Sequence, residues 1–207
     1  MIQWTRTFFA ATMGTIALCH IAHAAEPSYT ADGKLIRPAD YREWIYLTSG
    51  LDMSYGPNAV AAKHSMFDNV FVNPEAYRAF LASGTWPDKA IFVLELRGAE
   101  GNVSINKRGQ TQTAAVMGFE VHVKDTARFE GGWGFFDFHS PEPATPLPDK
   151  AGCRECHEKH GAVDTTFVQF YPTLFDLAQQ KGTISPAYLK EASAPTTQTN
   201  APKAPPY

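Results

Sequence analysis

The feature that most constrains this chain is a short run near its end, Cys153-Arg154-Glu155-Cys156-His157. Two thiols separated by two residues, with a histidine directly after the second, have the spacing by which haem is attached covalently to proteins. Each thiol adds across one vinyl group of the porphyrin, and the adjacent imidazole presents a nitrogen to the iron. The run therefore predicts one covalent haem c, attached through Cys153 and Cys156, with His157 as the metal ligand.

Other uses of a C-x-x-C pair fit this sequence less well. A thioredoxin-type redox pair belongs beside a βαβ unit, which no part of the sequence resembles. A zinc site needs a second pair of ligands, whereas Cys19 is the one other cysteine and the nearby His160 adds a single imidazole. A disulfide between the two thiols is the remaining alternative, and the histidine directly after Cys156 favours haem attachment over it.

The N-terminus predicts export. An apolar and small-residue run from Phe8 to Leu18 precedes Ala22-His23-Ala24, the A-x-A pattern that a signal peptidase cuts. The run is shorter than the roughly 20 apolar residues of a transmembrane helix, so an uncleaved anchor is the less favoured alternative. We expect cleavage after Ala24 and a mature chain in the periplasm or another extracytoplasmic compartment, with no membrane span.

The balance of charges argues against nucleic acid as a partner. The sequence has 18 Lys and Arg against 21 Asp and Glu, a formal net charge of −3, and the expected signal peptide removes a further cation, Arg6. Nucleic-acid-binding proteins need a basic surface, which this composition does not supply. The composition is typical of a soluble secreted domain, and the length beyond the signal suffices for one compact domain.

Hydrophobic patterning predicts an α+β fold, a mainly antiparallel β-sheet with flanking helices and a C-terminal haem site. Strands are expected over residues 68–72, 90–97, 113–124 and 133–138, and loops over 98–109 and 138–150. Asn73-Pro74-Glu75 begins a helix that ends at Gly84, because a capping residue precedes a first-turn proline and an acid. A second apolar stretch at helical spacing covers residues 166–181, interrupted by Pro172.

The chain is expected to divide into four parts. Residues 1–24 form the signal peptide, 25–40 an N-terminal extension, 41–181 the haem domain and 182–207 a tail rich in Pro, Ala and Thr. From Ala192 onward the tail has no hydrophobic periodicity. It cannot bury enough apolar surface to offset the entropy of ordering, so we expect it to be disordered.

The late position of the motif predicts an open coordination site on the iron. In electron-carrier cytochromes c the motif lies near the start and a methionine far downstream is the sixth ligand, but no methionine follows His157. Other methionines and histidines considered as sixth ligands are Met53, Met66, Met117, His64, His122 and His139. The methionines lie in apolar runs and are expected in the core, and the histidines carry no specific signal. We therefore expect a five-coordinate iron that binds small molecules.

An ordered series of segments resembles the cytochrome P-460 family, which includes the cytochromes c′-beta. The matching segments are Tyr41 to Trp44, Phe67 to Tyr77, Thr85 to Asp88, Ile91 to Arg97, Gly118 to Asp125, Trp133 to Phe138, Cys153 to His157 and Phe167 to Pro172. Together they cover roughly residues 41–177. The resemblance implies a homodimer, a mainly antiparallel sheet with helices, and a haem whose distal side is open.

The resemblance also implies one of two functions. Members of one type oxidise hydroxylamine and carry a lysine cross-linked to the porphyrin, whereas members of the other lack the cross-link and bind nitric oxide or carbon monoxide. The cross-linking lysine lies on the strand that matches residues 91–97, where this chain has Leu94. Lys89 and Lys107 lie on either side of that strand, but both are expected to be solvated. Gas binding is therefore favoured, with hydroxylamine oxidation and electron transfer as alternatives.

The resemblance places the distal wall of the haem pocket on the same strand. Phe92 and Leu94 share one strand face and are expected to line the pocket, with Phe67 as a cap, although each could equally be ordinary core. An apolar, donor-poor pocket would favour neutral diatomic ligands. Asp149 and Lys150, directly before the motif, are candidates for acid–base chemistry at the haem edge, although a solvated loop is the expected role. The sequence identifies no redox partner.

Overall fold

The computed structural model describes residues 25–55, 64–148 and 151–194. Five strands form one antiparallel sheet, in which the spatial order β1-β2-β3-β4-β5 is also the order along the chain. The strands are β1 Ile45–Leu51, β2 Met66–Val72, β3 Ile91–Gly101, β4 Gln110–Lys124 and β5 Trp133–Asp137. The helices are α1 Pro74–Ser83, α2 Cys153–His160, α3 Phe175–Lys181 and α4 Pro186–Ala192. The predicted α+β class with a mainly antiparallel sheet is confirmed.

The sheet separates two hydrophobic cores. Because alternate side chains of a strand point to opposite faces, β3 contributes Val93 to one core and Phe92 to the other. The core around Val93 lies under the N-terminal segment, whose Leu35 has no exposed surface. The core around Phe92 lies under the helices, where the rings of Phe80 and Trp86 pack with centroids 4.2 Å apart. Burying one such aromatic side chain stabilises the fold by roughly 2–3 kcal/mol.

Helix α1 begins and ends where the sequence predicts. Pro74 occupies the first turn, and Gly84 ends the helix in the left-handed conformation with φ 77°, its N–H bonded to the carbonyl of Phe80. Asn73 does not cap the helix through its side chain. Its amide oxygen instead accepts from the N–H of Ile91 at 2.9 Å, which ties the start of α1 to the start of β3.

The strands differ from the prediction mainly at the sheet's edge and at one hairpin. β3 continues to Gly101 and β4 begins at Gln110, so the predicted loop over residues 98–109 is shortened to 102–109. β1 has no counterpart among the predicted strands. It lies at the edge of the sheet, and Leu47 is its one buried residue, so it carries almost no hydrophobic alternation.

The C-terminal region also departs from the prediction. The apolar stretch over residues 166–181 forms a short 3-10 turn, Val168–Phe170, and then α3. The predicted tail, 182–207, includes α4. This helix forms without a long hydrophobic periodicity because local hydrogen bonds cap and anchor it. The hydroxyl of Ser185 accepts from the N–H of Tyr188 at 3.1 Å, and the N–H of Ser185 donates to the carbonyl of Ala162 at 2.7 Å.

Several predictions fall on residues outside the described ranges. They are the signal peptide over residues 1–24, the acid–base candidates Asp149 and Lys150, and the disordered tail beyond residue 194. These stay predictions. Among the helices that the structure describes, none is both long and apolar enough to cross a membrane.

Candidate functional site

A cavity of about 420 Å³ lies between the sheet and helix α2. Its volume is within the range of cofactor sites, roughly 300–1,000 Å³. Residues of α2 that line it are Cys153, Cys156 and His157. Residues of the sheet that line it are Thr48, Gly50, Met66, Asp68, Val70, Phe92, Leu94, Leu96, Glu120 and His122. The remaining wall is formed by Met53, Tyr55, Phe167, Phe170 and Tyr171.

Helix α2 brings the three residues of the predicted haem motif to one side. Side chains three and four positions apart share a helix face, so Cys153, Cys156 and His157 point the same way. Both thiols are free and half-buried. The helix thus presents two thiols and one imidazole to the same cavity, as the attachment of one haem requires.

The imidazole of His157 has a defined tautomer. Its Nδ1 lies 2.8 Å from the carbonyl oxygen of Thr165, which can only accept, so Nδ1 carries the proton. Burial lowers the pKa of His157, against the effect of this hydrogen bond, and favours the neutral ring. Nε2 therefore keeps its lone pair, and the bond to Thr165 fixes the ring's orientation, as is usual for histidines that ligate metals.

Three rings surround the His157 imidazole. Ring centroids lie 4.2 Å away for Phe167, 4.5 Å for His122 and 5.0 Å for Phe135. Burial, and then the proximity of His157, holds the pKa of His122 well below its ordinary value, so both rings are neutral. Direct edge contact between the two imidazoles leaves no room for an iron between them. His122 therefore packs against the ligand ring and does not oppose it across a haem.

The structure brings most of the sequence-predicted site residues together. Phe92 and Leu94 line the cavity with the residues of α2, whereas Phe67 does not. On β2 the lining residues are Met66, Asp68 and Val70, so by strand alternation the side chain of Phe67 points to the opposite face. The predicted cap thus lies on the other side of the sheet. The face of the sheet to which Phe67 points could not be predicted from the sequence. The apolar run shows neither which face is buried nor where the strand begins.

The methionines do not occupy the core positions that were expected. Met53 and Met66 line the cavity, and the side chain of Met117 is 61% exposed. The other two histidines considered as sixth ligands, His64 and His139, do not line the cavity. His64 is exposed, and the Nε2 of His139 lies 3.6 Å from a carboxylate oxygen of Asp137 at the surface.

The cavity wall contains two carboxyl groups that sequence reasoning missed. Burial raises the pKa of Asp68, with a further contribution from Asp52. Burial also raises the pKa of Glu120, with further contributions from Asp137 and Asp68. Both groups are therefore biased toward the neutral acid, which can donate a hydrogen bond. The expectation of an apolar wall is wrong at these positions. Asp68 and Glu120 lie on the same face of the sheet as Leu94, which becomes apparent once the register of the strands is known.

The lysines near the predicted cross-link position point away from the cavity. The Nζ of Lys89 lies 2.7 Å from a carboxylate oxygen of Asp125, and the Nζ of Lys107 donates to the carbonyl of Ser104 in the β3–β4 loop. Among the residues that the structure describes around the cavity, none is a lysine. Leu94 occupies the wall of the cavity at the position that the family resemblance assigns to the cross-link.

The residues present fit a haem c. Two free thiols and a neutral imidazole with its Nε2 available lie on one face of α2, and the cavity beside them is large enough for a cofactor. Aromatic rings around His157 and aliphatic side chains on β3 provide the apolar surroundings that a porphyrin requires.

Comparison with known proteins assigns the family. Residues 38–168 of the 207 match the family model for Cytochrome P460, a span that contains the whole sheet and α2. No curated protein matches the chain. The matched span covers more than half of the sequence and agrees with the resemblance seen in its motifs. The chain therefore belongs to the cytochrome P460 family, whose members are c-type haem proteins.

Proposed function

We propose that this chain is an exported c-type cytochrome whose single haem, attached through Cys153 and Cys156 and ligated by His157, is five-coordinate and binds nitric oxide or carbon monoxide. The observation that carries the proposal is Leu94 on the cavity wall, in a described lining that contains no lysine. An alkyl side chain has no amine to attack a porphyrin. The hydroxylamine-oxidising type of the family therefore fits less well than the gas-binding type.

Each side chain around the cavity has a definable role in such a site. A bound haem would supply an iron with one free coordination position. His157, held by Thr165 and three rings, would ligate the iron of such a haem through Nε2. Leu94, Phe92 and Val70 exclude water from the sheet side of the cavity. Asp68 and Glu120, whose pKa values burial raises, add polar groups to this wall.

Absorption spectroscopy of the purified protein tests the proposal. The ferric protein is expected to be high-spin and five-coordinate, and anaerobic titration of the ferrous protein with nitric oxide or carbon monoxide is expected to shift the Soret band. A ferrous spectrum that neither gas moves would overturn the proposal. His157→Ala is a control, because it removes the proposed iron ligand and leaves both cysteines that attach the haem.

Peptide mapping separates gas binding from hydroxylamine oxidation. After digestion, haem is expected on the peptide that contains Cys153 and Cys156, and on no other. A haem peptide that also contains a lysine-bearing segment of the chain would instead support a cross-linked, hydroxylamine-oxidising cytochrome. Mass spectrometry of the denatured protein checks that one haem is attached.

Electron transfer is the second candidate, because Met53 and Met66 both line the cavity and a thioether can be a sixth ligand. A low-spin, six-coordinate ferric spectrum that becomes high-spin in Met53→Ala or Met66→Ala would support it. Under the gas-binding proposal, neither substitution changes the ferric spin state.

A further inference from the structure

A second cavity of about 500 Å³ lies beside the haem cavity at the edge of the sheet. The two cavities share two lining residues, Leu96 and Glu120, and Gly118 lines the outer cavity next to them. The outer cavity is otherwise lined by Arg37 and by residues of β4, β5 and the segment after β5, including Val116, Asp137 and His139. A single layer of side chains on β3 and β4 therefore borders both spaces.

The strand pairing explains why the sheet is open at this point. β5 pairs with β4 only from Lys124 to Glu120, where Glu120 lies opposite Asp137. Beyond that pair no strand among the described residues pairs with this edge of β4, and Gly118 lies next to the outer cavity. Two residues nearer the closed end, His122 pairs with Phe135 and the edge is covered.

Leu96, which borders both cavities, lies against Gly118, which borders the outer one. They are register partners on β3 and β4. A Cβ atom added to Gly118 would lie 2.6 Å from Cδ1 of Leu96, and the other near atoms also belong to the Leu96 side chain. The space that a side chain would fill at position 118 is thus occupied by the movable end of a leucine. No backbone atom lies within 4 Å of that point among its nearest neighbours.

We propose that Leu96, Gly118 and Glu120 form the passage by which small neutral ligands travel from the outer cavity to the haem cavity, with the Leu96 side chain as its gate. This inference rests on the proposed function and concerns the same site. The haem-binding residues all lie on α2, so the group they hold occupies that side of the cavity, and the passage opens on the sheet side. A rotation of the Leu96 side chain is sufficient to connect the two spaces.

A gate makes a specific kinetic prediction. Widening or narrowing it changes the association and dissociation rates of a ligand together, and leaves the equilibrium affinity nearly constant. A change in the pocket itself mainly changes the dissociation rate and hence the affinity. The two roles can therefore be distinguished without any measurement of enzymatic activity.

Flash photolysis of the ferrous carbon monoxide complex provides the test in the full-length haem protein. Leu96→Ala is expected to raise the association rate by about tenfold, the lower end of the range over which such rates vary among variants of one site. Gly118→Ala is expected to lower it. Position 118 does not have a positive φ, so alanine is compatible with its backbone. Leu96→Val widens the passage less and can replace Leu96→Ala if that variant fails to fold.

Two matched controls flank the passage. Thr48→Ala shortens a residue that lines the haem cavity alone, and Val116→Ala shortens one that lines the outer cavity alone. Both are expected to leave the association rate within about twofold of wild type. If Leu96→Ala and Thr48→Ala give the same rates, or if Gly118→Ala does not slow association, the passage is refuted while gas binding stands. If the wild-type protein binds no carbon monoxide, the proposed function fails and the passage fails with it.

Discussion

At the scale of single residues, the orientation of His157 depends on a strained turn. Asp164 and Thr165 both have positive φ, 48° and 60°, a conformation that costs a non-glycine residue about 1–3 kcal/mol. The turn directs the Thr165 carbonyl at Nδ1 of His157. Asp164 is held by an ion pair with Lys124, whose Nζ also donates to the carbonyl of Trp86 at 2.8 Å. The pair with Lys124 thus supports the orientation of His157, the proposed iron ligand.

Replacing Lys124 with methionine should therefore affect the iron from a distance. Without the ion pair the turn relaxes, the hydrogen bond from His157 weakens and the imidazole becomes a poorer donor. We expect a lower iron–histidine stretching frequency in the resonance Raman spectrum of the ferrous protein, and a stability loss of about 1 kcal/mol. Lys89→Met removes a comparable ion pair, with Asp125, in which no residue of the turn takes part. An unchanged stretching frequency in Lys124→Met would show that the turn holds Thr165 without this pair.

A second residue-scale feature is a buried carboxylate on the face of the sheet opposite the cavity. Glu95 has no exposed surface and accepts from Arg97 at 2.6 Å, from Arg42 at 2.8 Å and from the hydroxyl of Tyr41. Burial acts to raise the pKa of Glu95. Hydrogen bonds from Arg97 and Tyr41 and the charges of both arginines outweigh it and hold that pKa below its ordinary value.

The lowered pKa of Glu95 determines whether its contribution to stability rises or falls with pH. Because the unfolded chain takes up the proton more readily, the contribution of Glu95 is fully present above the ordinary pKa of 4.5 and is lost as the pH falls through the lower folded value. Glu95→Gln should reduce the free energy of unfolding by about 2–3 kcal/mol at pH 7, and by progressively less below about pH 4. Urea denaturation at a series of pH values measures this. A loss of stability that is the same at every pH would mean that packing, not charge, accounts for it. Glu100→Gln is the control, because Glu100 is exposed.

At the scale of elements, the strands with two buried faces could be predicted from the sequence. The site residues that lie on these strands could be predicted only in part. β3 reads as a strand because residues 91–94 are apolar on both faces. Phe92 and Leu94 followed from that prediction. Asp68 and Glu120 could not be placed, because a one-residue change in register moves every side chain of a strand to the other face. The motif on α2 needed no register, since its spacing is set by the chemistry of the porphyrin.

Helix α4 shows how local chemistry can specify an element without periodicity. Its seven residues begin after Ser185, whose hydroxyl accepts from Tyr188 and donates to the carbonyl of Gly161. Ser185→Ala should lower the free energy of unfolding by about 1–2 kcal/mol, because both hydrogen bonds are lost. Ser193→Ala, at the far end of the helix, removes only an exposed bond to Lys190 and should have almost no effect. Equal effects of the two substitutions in urea denaturation would refute a specific role for the cap.

At the scale of the whole molecule, the segments outside the family match complete both cores. The match spans residues 38–168. Leu35 and Tyr29, before it, pack into the core on one side of the sheet. Leu174, Ala178 and Tyr188, after it, pack into the core under α2. The matched span holds the sheet and the haem motif, and the flanking segments supply the remaining apolar surface that covers them.

The family resemblance predicts that two copies of this chain associate. Sedimentation equilibrium of the haem-loaded protein is expected to give twice the mass of one mature chain. A single-chain mass at micromolar concentration would contradict the homodimer. The measurement is independent of ligand binding, and repeating it with carbon monoxide present shows whether the ligand changes the association.

The segment from Gly182 to Ala194 ties the haem-bearing helix to the rest of the fold. Nδ1 of His160, at the end of α2, lies 2.7 Å from a carboxylate oxygen of Glu191 on α4, and Tyr188 packs edge-on against Phe175 with centroids 5.8 Å apart. Because an exposed ion pair of this kind contributes little, most of the anchoring comes from Ser185 and Tyr188.

A chain that ends at Lys181 should therefore keep its covalent haem but lose stability. We expect a loss of about 2–3 kcal/mol, which corresponds to a Tm lower by about 5–10 °C for a chain of this size. A chain that ends at Ala194 keeps α4 and removes only the tail that the sequence predicts to be disordered, so its Tm should equal that of the full-length protein. Thermal unfolding followed by circular dichroism compares the three chains. If the two truncations melt alike, α4 does not hold α2, and the stability of the haem helix must come from its contacts with β4 and β5 alone.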